Sequence, residues 1–422
     1  MREFSVLYGQ TTMAFELPEG ITCQVVEPRA HRTTKCPEEI LKNALKNPIG
    51  PADIHELTKT AEKILILTND NTRPMPSRLT LPALIESFYH PEDHYDITIL
   101  IATGLHRMMS DDEIKQQLGE EIAGRYKVVV HSAIDRENLI SFGKLSSGHE
   151  LFLNRLVAEA DLVVAEGFIE PHFYAGFSGG RKSILPGVAG VDNILLNHSP
   201  EKIAHPNTRQ ATLLGNPVHE ECIEAARMAK LRFILNVALG SEKEIIAAFA
   251  GHPEEAHLAG CRFVEKQMTV DVQASDIVIT SNHGYPLDRN LYQVVKGLDT
   301  AAKAAKKGGI IIMAAECVDG IGHYHLKDLI LSCDTVEGFN ARMSSPPSQI
   351  DKWMAQVLAR VLIDHQVILV SGGLEKDLIE RMFFLYAASL DEAVTIALSL
   401  KGRDASVCVL PQGPVVIPRT SG

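Results

Sequence analysis

Hydrophobic and polar positions alternate along the chain between short apolar runs and amphipathic stretches. Continuous apolar runs at 64–67 and 162–165, and a run at 97–102 interrupted only by Thr98, predict buried strands, because a strand covered on both faces needs mostly apolar side chains. Stretches with apolar residues every three or four positions follow most of these runs and predict helices. Repeated strand–helix units favour a mainly parallel sheet with helices on both faces.

The first part of the chain has further signals for strands and helices. The pattern predicts short strands within residues 1–30 and a helix beginning at Pro37, since proline is tolerated in the first helical turn. A capping box from Ser110 to Glu113 predicts another helix start. The other predicted elements of this part are strands at 127–130 and 232–238 and helices at 77–89, 149–158, 191–198, 217–229 and 253–267.

A second strand–helix series begins near residue 269, with no proline- or serine-rich linker before it. We therefore predict two α/β domains, residues 1–268 and 269–422, each a mainly parallel sheet flanked by helices. The elements predicted in the second domain are strands at 277–280, 309–314, 366–370 and 406–410 and helices at 289–307, 350–363, 376–384 and 391–401.

Composition and charge narrow the class of protein. The 422 residues are 45% hydrophobic and 22% charged, which is ordinary for a globular protein. The net charge of −12 disfavours a nucleic-acid-binding surface, which needs a basic face. No apolar stretch reaches the ~18 residues of a membrane helix, and the N-terminus lacks the apolar core of a signal peptide. We therefore expect a cytoplasmic protein with no membrane or nucleic-acid partner.

Cysteines and histidines form no recognisable metal motif. The seven cysteines are scattered without a Cys-x-x-Cys pair, which disfavours a disulfide framework and a cysteine zinc site. His323 with His325, and His90 with His94, have ligand-like spacing, but no carboxylate cluster accompanies them. We expect these four to be surface or structural histidines.

The most distinctive segment is the glycine-rich loop 167–187. It holds His172 and Lys182 ten residues apart, with Arg181 beside the lysine, and its glycines allow a tight turn close to a ligand. The segment nearly matches a phosphate-binding P-loop, but the glycine spacing is one residue short. Pro186 would also end the helix that a P-loop requires. A P-loop-like phosphate-binding enzyme remains an alternative.

Polar loops follow three predicted strands of the first domain. They carry Asp70 with Arg73, His106, and His172 with Lys182. Because ligands bind beyond the carboxyl ends of parallel strands, we expect these side chains to converge at one edge of the sheet. Local cations there would have to attract an anionic substrate against the overall negative charge.

The helix predicted at 289–307 has a candidate anion site near its start. Tyr292 and Gln293 lie four and three residues before Lys296, so the three side chains can share one face. A helix N-terminus together with an ammonium group suits a carboxylate. A solvated helix face explains the same pattern nearly as well.

These segments together resemble the nickel-pincer-nucleotide-dependent lactate racemase family over essentially the whole chain. The resemblance is carried by Asp70-Asn-Thr-Arg73-Pro, Thr103-Gly-Leu-His106, the segment 170–187, His198 and Tyr292-Gln293-x-x-Lys296. The segment 170–187 is highly specific, whereas the Asp-x-Thr-Arg-Pro motif alone would be weak evidence.

The resemblance implies a cofactor and the residues that hold it. Lys182 would carry the nickel-pincer nucleotide, a Ni(II)-pyridinium-3,5-bisthiocarboxylate mononucleotide, through a covalent thioamide. His198 would be a nickel ligand, the only one from the protein. The residues expected to contact the cofactor are Asp70, Asn71, Thr72 and Arg73.

The resemblance also implies the reaction and its catalytic residues. A 2-hydroxycarboxylic acid would be racemised or epimerised at C2 through a 2-keto acid, by reversible hydride transfer to the cofactor. His106 and His172 would be the acid/base pair, in an active site in the interdomain cleft. The residues expected to bind the substrate are Arg73, Tyr292, Gln293 and Lys296.

The same residues are compatible with other functions. A non-catalytic binding protein for the nickel nucleotide or for a hydroxy acid is an alternative to an enzyme. The resemblance implies partner enzymes that synthesise the cofactor. Arg107 is either solvated or touches a second anionic group of the substrate, and Arg181 and Trp353 have no assigned function.

Overall fold

The structure is a computed structural model that describes residues 1–28, 33–89 and 95–420. The chain forms two compact units. The inner unit comprises Ala30–Asn197 and Ala211–Lys266, and the terminal unit comprises Met1–Arg29, His198–Gln210 and Gln267–Gly422. No helix among the described residues has the length and apolar character needed to cross a membrane.

The strands occur along the whole chain. In order, they are β1 (Arg2–Tyr8), β2 (Thr11–Leu17), β3 (Cys23–Val25), β4 (Lys63–Asn69), β5 (Asp96–Ala102), β6 (Lys127–Val130), β7 (Leu139–Lys144), β8 (Glu150–Asn154), β9 (Leu162–Phe168), β10 (Pro171–His172), β11 (Gly176–Phe177), β12 (Leu231–Leu239), β13 (Ile245–Gly251), β14 (Thr269–Val272), β15 (Ser275–Ser281), β16 (Ala305–Ala314), β17 (Gln366–Val370), β18 (Leu385–Tyr386), β19 (Val407–Leu410) and β20 (Ile417–Thr420).

Helices alternate with these strands, and short 3₁₀ turns lie at Arg136–Asn138, Gly180–Ser183 and Gly413–Val415. In order, the helices are α1 (Pro37–Lys46), α2 (Ile54–Thr58), α3 (Ser77–Glu86), α4 (Asp111–Leu118), α5 (Glu120–Arg125), α6 (Leu156–Glu159), α7 (Val191–Asn197), α8 (Pro200–Ala204), α9 (Pro217–Met228), α10 (Pro253–Met268), α11 (Leu291–Ala304), α12 (Tyr324–Leu331), α13 (Val336–Met343), α14 (Lys352–Asp364), α15 (Lys376–Arg381) and α16 (Leu390–Lys401).

The inner unit is organised by a six-stranded sheet in the order β13-β12-β9-β4-β5-β6. Its strands pair in parallel except for β13, which runs antiparallel to β12 at the edge. Successive side chains of β4 enter different cores: Ile64 and Ile66 pack in one cluster, Leu65 and Leu67 in another. The sheet is therefore covered on both faces, which explains the continuous apolar runs in the sequence.

The terminal unit has its own six-stranded parallel sheet, in the order β18-β17-β16-β15-β19-β3. The two sheets confirm the predicted fold class of mainly parallel sheets flanked by helices. The division of the chain differs from the continuous segments 1–268 and 269–422. Since β3 pairs with β19, residues 1–29 belong to the same unit as residues 267–422.

The prediction of a helix at 149–158 is wrong for most of its length. Residues Glu150–Asn154 form β8, which pairs antiparallel with β7, and helix α6 covers only Leu156–Glu159. Leu151 and Leu153 are fully buried while Phe152 between them is exposed, which is the two-residue period of a strand. Over so few apolar residues the helical and strand periods are hard to separate in sequence.

Candidate active site

Three loops of the inner unit converge at the carboxyl edge of its sheet. Strands β9, β4 and β5 are adjacent and parallel, so the loops that follow them leave on the same side. The backbone N–H of Gly104, after β5, donates to the carbonyl of Gly187, after β9, at 3.0 Å. The predicted convergence of these loops is confirmed.

Asp70 and His106 form a hydrogen-bonded carboxylate–imidazole pair. Asp70 Oδ2 lies 2.6 Å from His106 Nδ1, and Thr72 donates its hydroxyl to Asp70 Oδ1, also at 2.6 Å. The carboxylate is 3% exposed and the imidazole 34% exposed. Burial would raise the pKa of Asp70, but the bonds from His106 and Thr72 hold it below its ordinary value.

This pairing fixes which nitrogen of His106 can react. An ionised carboxylate only accepts hydrogen bonds, so Nδ1 of His106 carries a proton. The neutral ring then has its lone pair at Nε2, as a general base requires. The side chains of Asp70 and Thr72, predicted as cofactor contacts, are thus engaged in orienting His106.

Arg107 and Asn71 are both held by Glu113. The Arg107 guanidinium donates to both carboxylate oxygens of Glu113, at 2.8 Å to Oε2, and Asn71 Nδ2 donates to Oε1 at 2.8 Å. The Arg107 hydrogen bond is the main reason that the pKa of Glu113 falls to about 2. Glu113 also closes the capping box with Ser110. Arg107 is therefore part of a surface ion pair at the start of α4.

Arg73 is a half-buried cation beside the Asp70–His106 pair. Among the described residues, its guanidinium has no hydrogen-bond or ion-pair partner, and its backbone N–H donates to Asp70 O at 3.2 Å. Its charge helps to lower the pKa of Asp70 and opposes the rise that burial imposes on the pKa of Tyr174. Arg73 can therefore accept an anionic partner near these residues.

Lys182 lies on a 3₁₀ turn, Gly180–Ser183, whose backbone requires glycine. Gly179 and Gly180 have φ values of 83° and 54°, in the left-handed region. A Cβ on Gly179 would lie 2.7 Å from Asn236 Oδ1, and the same oxygen accepts from the Gly180 N–H at 2.9 Å. The next helix, α7, begins only at Val191, so the strand–loop–helix arrangement of a P-loop is missing here.

The side chain of Lys182 points toward aromatic groups of its own loop. Its Nζ is 3.3 Å from His172 Nε2 and 5.5 Å from the centre of the Tyr174 ring. The His172 Nδ1 accepts from the backbone N–H of Ala175 at 3.2 Å. Because the ammonium of Lys182 can only donate, its contact at Nε2 and the Ala175 N–H at Nδ1 compete for the one lone pair of a neutral His172.

Arg181 is a buried structural cation. Its guanidinium donates to the carbonyls of Gly179 and Ala175, at 3.1 and 2.8 Å, and lies 2.8 Å from His257 Nε2. Burial, and then the charge of Arg181, lower the pKa of His257 well below its ordinary value. Nε2 of the neutral His257 also lies 2.9 Å from the carbonyl oxygen of Ser178, so it accepts from Arg181 in one tautomer and donates to Ser178 in the other. Arg181 thus holds the backbone on both sides of Phe177.

Two polar side chains that were not predicted from the sequence support these loops. The carboxyl group of Glu166, on β9, is fully buried and accepts from the hydroxyls of Thr68, Ser77 and Thr80. It links β4 to the first turn of α3 and so fixes the intervening loop that carries Asp70. The signal was a lone carboxylate directly after the apolar run at 162–165.

The second residue that was not predicted is Asn236 on β12. Asn236 and Asn69 lie in the two strands on either side of Gly167. A Cβ on Gly167 would lie 3.1 Å from Asn236 Nδ2 and 3.5 Å from Asn69 Oδ1. Both amide atoms are buried and have no hydrogen-bond partner among the described residues. Glycine at 167 therefore makes room for two closely packed amide groups beside the Lys182 turn.

The residues predicted to bind a carboxylate lie on α11 of the terminal unit. Tyr292, Gln293 and Lys296 lie in its first two turns, and the Gln293 Oε1 is buried without a partner in the described part of the chain. The helix N-terminus itself is occupied. The N–H groups of Leu291 and Tyr292 donate to the carbonyls of Gly320 and Ile321, and Asn290 caps Gln293. Side chains, not the helix start, must therefore hold a carboxylate.

His198 also belongs to the terminal unit and is buried, at 4% exposure. Its ring lies 5.1 Å from that of Trp353, edge to face, so the single tryptophan packs against this histidine. Within 1–28, 33–89 and 95–420, no group of three or more His, Cys, Asp or Glu side chains could hold a metal ion. His90 and His94 lie outside the described residues.

Comparisons with known proteins identify the family. The profile of the lactate racemase N-terminal domain matches residues 8–211, and that of the lactate racemase C-terminal domain matches residues 270–418. A lactate racemase from Thermoanaerobacterium thermosaccharolyticum is 44% identical and aligns with 99% of this chain and 100% of its own. A lactate racemase from Lactiplantibacillus plantarum is 42% identical, over 90% of each chain.

Solved structures agree with these matches. The lactate racemase apoprotein from T. thermosaccharolyticum superposes with a TM-score of 0.93, at 44% identity, covering 99% of this chain and 100% of that one. A Thermotoga maritima protein shares the fold with a TM-score of 0.67, at 20% identity, covering 91% of this chain and 98% of that one. The chain therefore belongs to the lactate racemase family and is an isomerase.

Proposed function

We propose that the chain interconverts the two enantiomers of lactate, the activity named for its relatives. The observation that carries the proposal is the Asp70–His106 pair. Asp70 holds the proton on Nδ1 of His106, so the lone pair at Nε2 can act as a general base. His172 is the proposed partner, which in its protonated form would donate the proton of Nε2, the nitrogen beside Lys182.

A racemase needs this combination. Oxidation of lactate to pyruvate removes C2–H as a hydride and the hydroxyl hydrogen as a proton, and the planar keto acid can be reduced on either face. His106 would take the hydroxyl proton from one enantiomer, and His172 would return a proton to form the other. In the reverse direction the two rings exchange roles. Histidine suits both tasks because it titrates near neutrality.

The residues around Lys182 fit the cofactor that the family resemblance implies. Beside Gly167, Asn69 has a buried amide oxygen and Asn236 a buried amide nitrogen, and neither has a hydrogen-bond partner among the described residues. Lys182 is within hydrogen-bonding distance of an imidazole that can exchange its proton. When bound, the nickel-pincer nucleotide would supply the electrophilic hydride acceptor that side chains lack. Lys182 would hold it covalently and His198 would ligate the nickel.

The substrate carboxylate needs a cationic partner. We propose Arg73, whose half-buried guanidinium can bind a carboxylate through two hydrogen bonds. We propose that Gln293 and Lys296 add a second hold on the carboxylate, with Tyr292 packing beside them. We expect the reaction to run in the cytoplasm and to depend on enzymes that make the cofactor.

A chiral assay tests the proposed reaction. The protein, produced together with cofactor-synthesis enzymes and nickel, is given L-lactate or D-lactate, and the enantiomers are separated over time. We expect both starting materials to approach the same equal mixture. Net oxidation without formation of the other enantiomer, or no reaction while the cofactor is demonstrably bound, would contradict the proposal.

Intact mass tests the proposed tether independently of activity. The wild type should carry an adduct of cofactor mass, and Lys182→Ala should not. Lys127→Ala is the matched control, because Lys127 is exposed in the same unit and away from the loop. An adduct that persists in Lys182→Ala would assign the attachment to another residue.

A further inference from the structure

A second carboxylate–imidazole pair lies in the terminal unit, where the sequence analysis expected only a structural histidine. His323 Nδ1 is 3.1 Å from Asp351 Oδ2. The carboxylate is 3% exposed and the imidazole 38% exposed. His323 is the residue before α12 and Asp351 the residue before α14, so the pair joins the starts of two helices.

Asp351 sits in an unfavourable conformation to make this contact. Its φ of 64° is left-handed, a region that residues other than glycine rarely occupy without a compensating interaction. At this position an aspartate normally caps its own helix, but its side chain makes no capping bond to α14. The backbone strain and the missing cap together point to the bond with His323 as the reason for aspartate here.

The imidazole of His323 is stacked on Tyr292. The ring centres are 4.0 Å apart and the planes differ by 14°. Tyr292 is 8% exposed, and its backbone N–H is bonded to Ile321 in the segment just before His323. The bond to Asp351 fixes the plane of the imidazole, and the stack passes that constraint to the phenol ring.

We propose that His323, held by Asp351, is the positioning residue for Tyr292 and thereby sets the affinity of the substrate clamp. This inference rests on the proposed function, because it takes Tyr292, Gln293 and Lys296 to hold the substrate. Tyr292 and Lys296 lie four residues apart on α11, so a ring that tilts would move against the neighbouring lysine. His323 needs no contact with the reacting atoms for this effect.

Steady-state kinetics of the holoenzyme test the proposal first. His323→Ala and Asp351→Asn should raise KM for lactate about 3- to 10-fold, the range expected for losing an aromatic pair, with kcat nearly unchanged. His325→Ala is the control, because His325 is partly exposed two residues away and should leave both constants unchanged. A fall in kcat at constant KM would overturn the assignment.

The Asp351→Gly variant distinguishes an effect on substrate binding from an effect on folding. Asp351→Gly relieves the left-handed strain, so its melting temperature should stay level or rise while KM increases as in Asp351→Asn. A purely structural aspartate predicts the opposite pattern, a lower melting temperature with an unchanged KM.

A double mutant tests whether His323 acts through Tyr292. In a Tyr292→Ala background, adding His323→Ala should change KM no further, because the positioned ring is already gone. Independent, additive effects of the two substitutions would contradict the proposal.

Chemical modification reports how accessible the Tyr292 ring is, and it does not depend on catalysis. Nitration by tetranitromethane, mapped by peptide mass, should increase several-fold at Tyr292 in His323→Ala and stay constant at the exposed Tyr324. If the wild type fails to racemise lactate but nitration changes as expected, the proposed function fails and the positioning pair stands. If the wild type racemises lactate and neither KM nor nitration responds, the positioning pair fails alone.

Discussion

The two carboxylate–imidazole pairs differ in what surrounds the ring. Asp70–His106 and Asp351–His323 each join Nδ1 to a carboxylate that is 3% exposed, and their imidazoles are similarly exposed. Asp70 has a second partner in Thr72 and a cation nearby, whereas Asp351 reaches His323 from a strained helix start. The face of His323 is covered by Tyr292.

A carboxylate–imidazole pair therefore does not by itself identify a general base. In both cases the carboxylate selects the Nδ1 tautomer and fixes the ring. At His106 the fixed ring lies in a loop at the carboxyl edge of the sheet, where ligands bind. At His323 the fixed ring supports another aromatic side chain. Substitutions at the two sites should therefore have different kinetic signatures.

The largest effect should come from removing the base. His106→Ala should lower kcat by about 10²- to 10⁴-fold, the usual contribution of a general base, with a much smaller change in KM. His323→Ala provides the contrast, since its expected effect is on KM. Equal losses of kcat in both variants would erase the distinction between the two pairs.

A smaller loss should follow from changing the partner of His106. Asp70→Asn keeps the size of the side chain but lets the amide donate to Nδ1, which moves the imidazole proton to Nε2 and blocks the base. We expect kcat to fall about 10²-fold while the melting temperature changes little. Asp351→Asn, measured in parallel, should leave kcat close to the wild-type value.

His257 is a buried histidine without a carboxylate partner, and its contribution to stability should depend on pH. Burial, then Arg181, lower the pKa of His257, so the folded state keeps it neutral while the unfolded state binds a proton below about pH 6.5. The free energy of unfolding should therefore fall with decreasing pH, by up to about 1.4 kcal/mol per pH unit from this residue. Denaturant unfolding between pH 6.5 and 5 measures the slope.

His257→Gln is the matched variant for that slope, because an amide can still accept from Arg181 without titrating. Its unfolding free energy should depend less on pH over the same range, whatever its value at pH 7. An unchanged slope would show that His257 is not responsible for it.

The smallest expected effect is on the free energy of unfolding and follows from removing a helix N-cap. The starts of α4 and α14 differ in this respect. Ser110 caps α4 with its side chain, the role that Asp351 does not fill for α14. Ser110→Ala should lower the free energy of unfolding by about 1 kcal/mol and leave KM for lactate unchanged. A change in KM from Ser110→Ala would mean that helix α4 contributes to substrate binding.

Much of the inner sheet could be predicted from sequence because its strands are continuous apolar runs. The run at 162–165 locates β9, and its neighbours locate β4 and β5, so the convergence of their loops followed from topology. The hairpin of β7 and β8 could not be located in the same way, because one covered face leaves only alternate apolar residues. The edge strand β13 was missed altogether.

The candidate site was predictable as a set of residues but not as a set of hydrogen bonds. The sequence placed Asp70 near His106 only through the sheet edge, and nothing in it showed that one binds the other. It also could not show that carbonyls of Gly320 and Ile321 occupy the start of α11. Such pairings join segments far apart in the chain, which local patterns do not encode.

The pairing of β3 with β19 has a consequence for biosynthesis. Residues 23–25 are synthesised long before their sheet partner, residues 407–410. The inner unit is complete in sequence once residue 266 has emerged, so domain-wise folding lets it form first. A nascent chain arrested soon after residue 266 would contain a folded inner unit, and β3 would still be unpaired because β19 had not been synthesised.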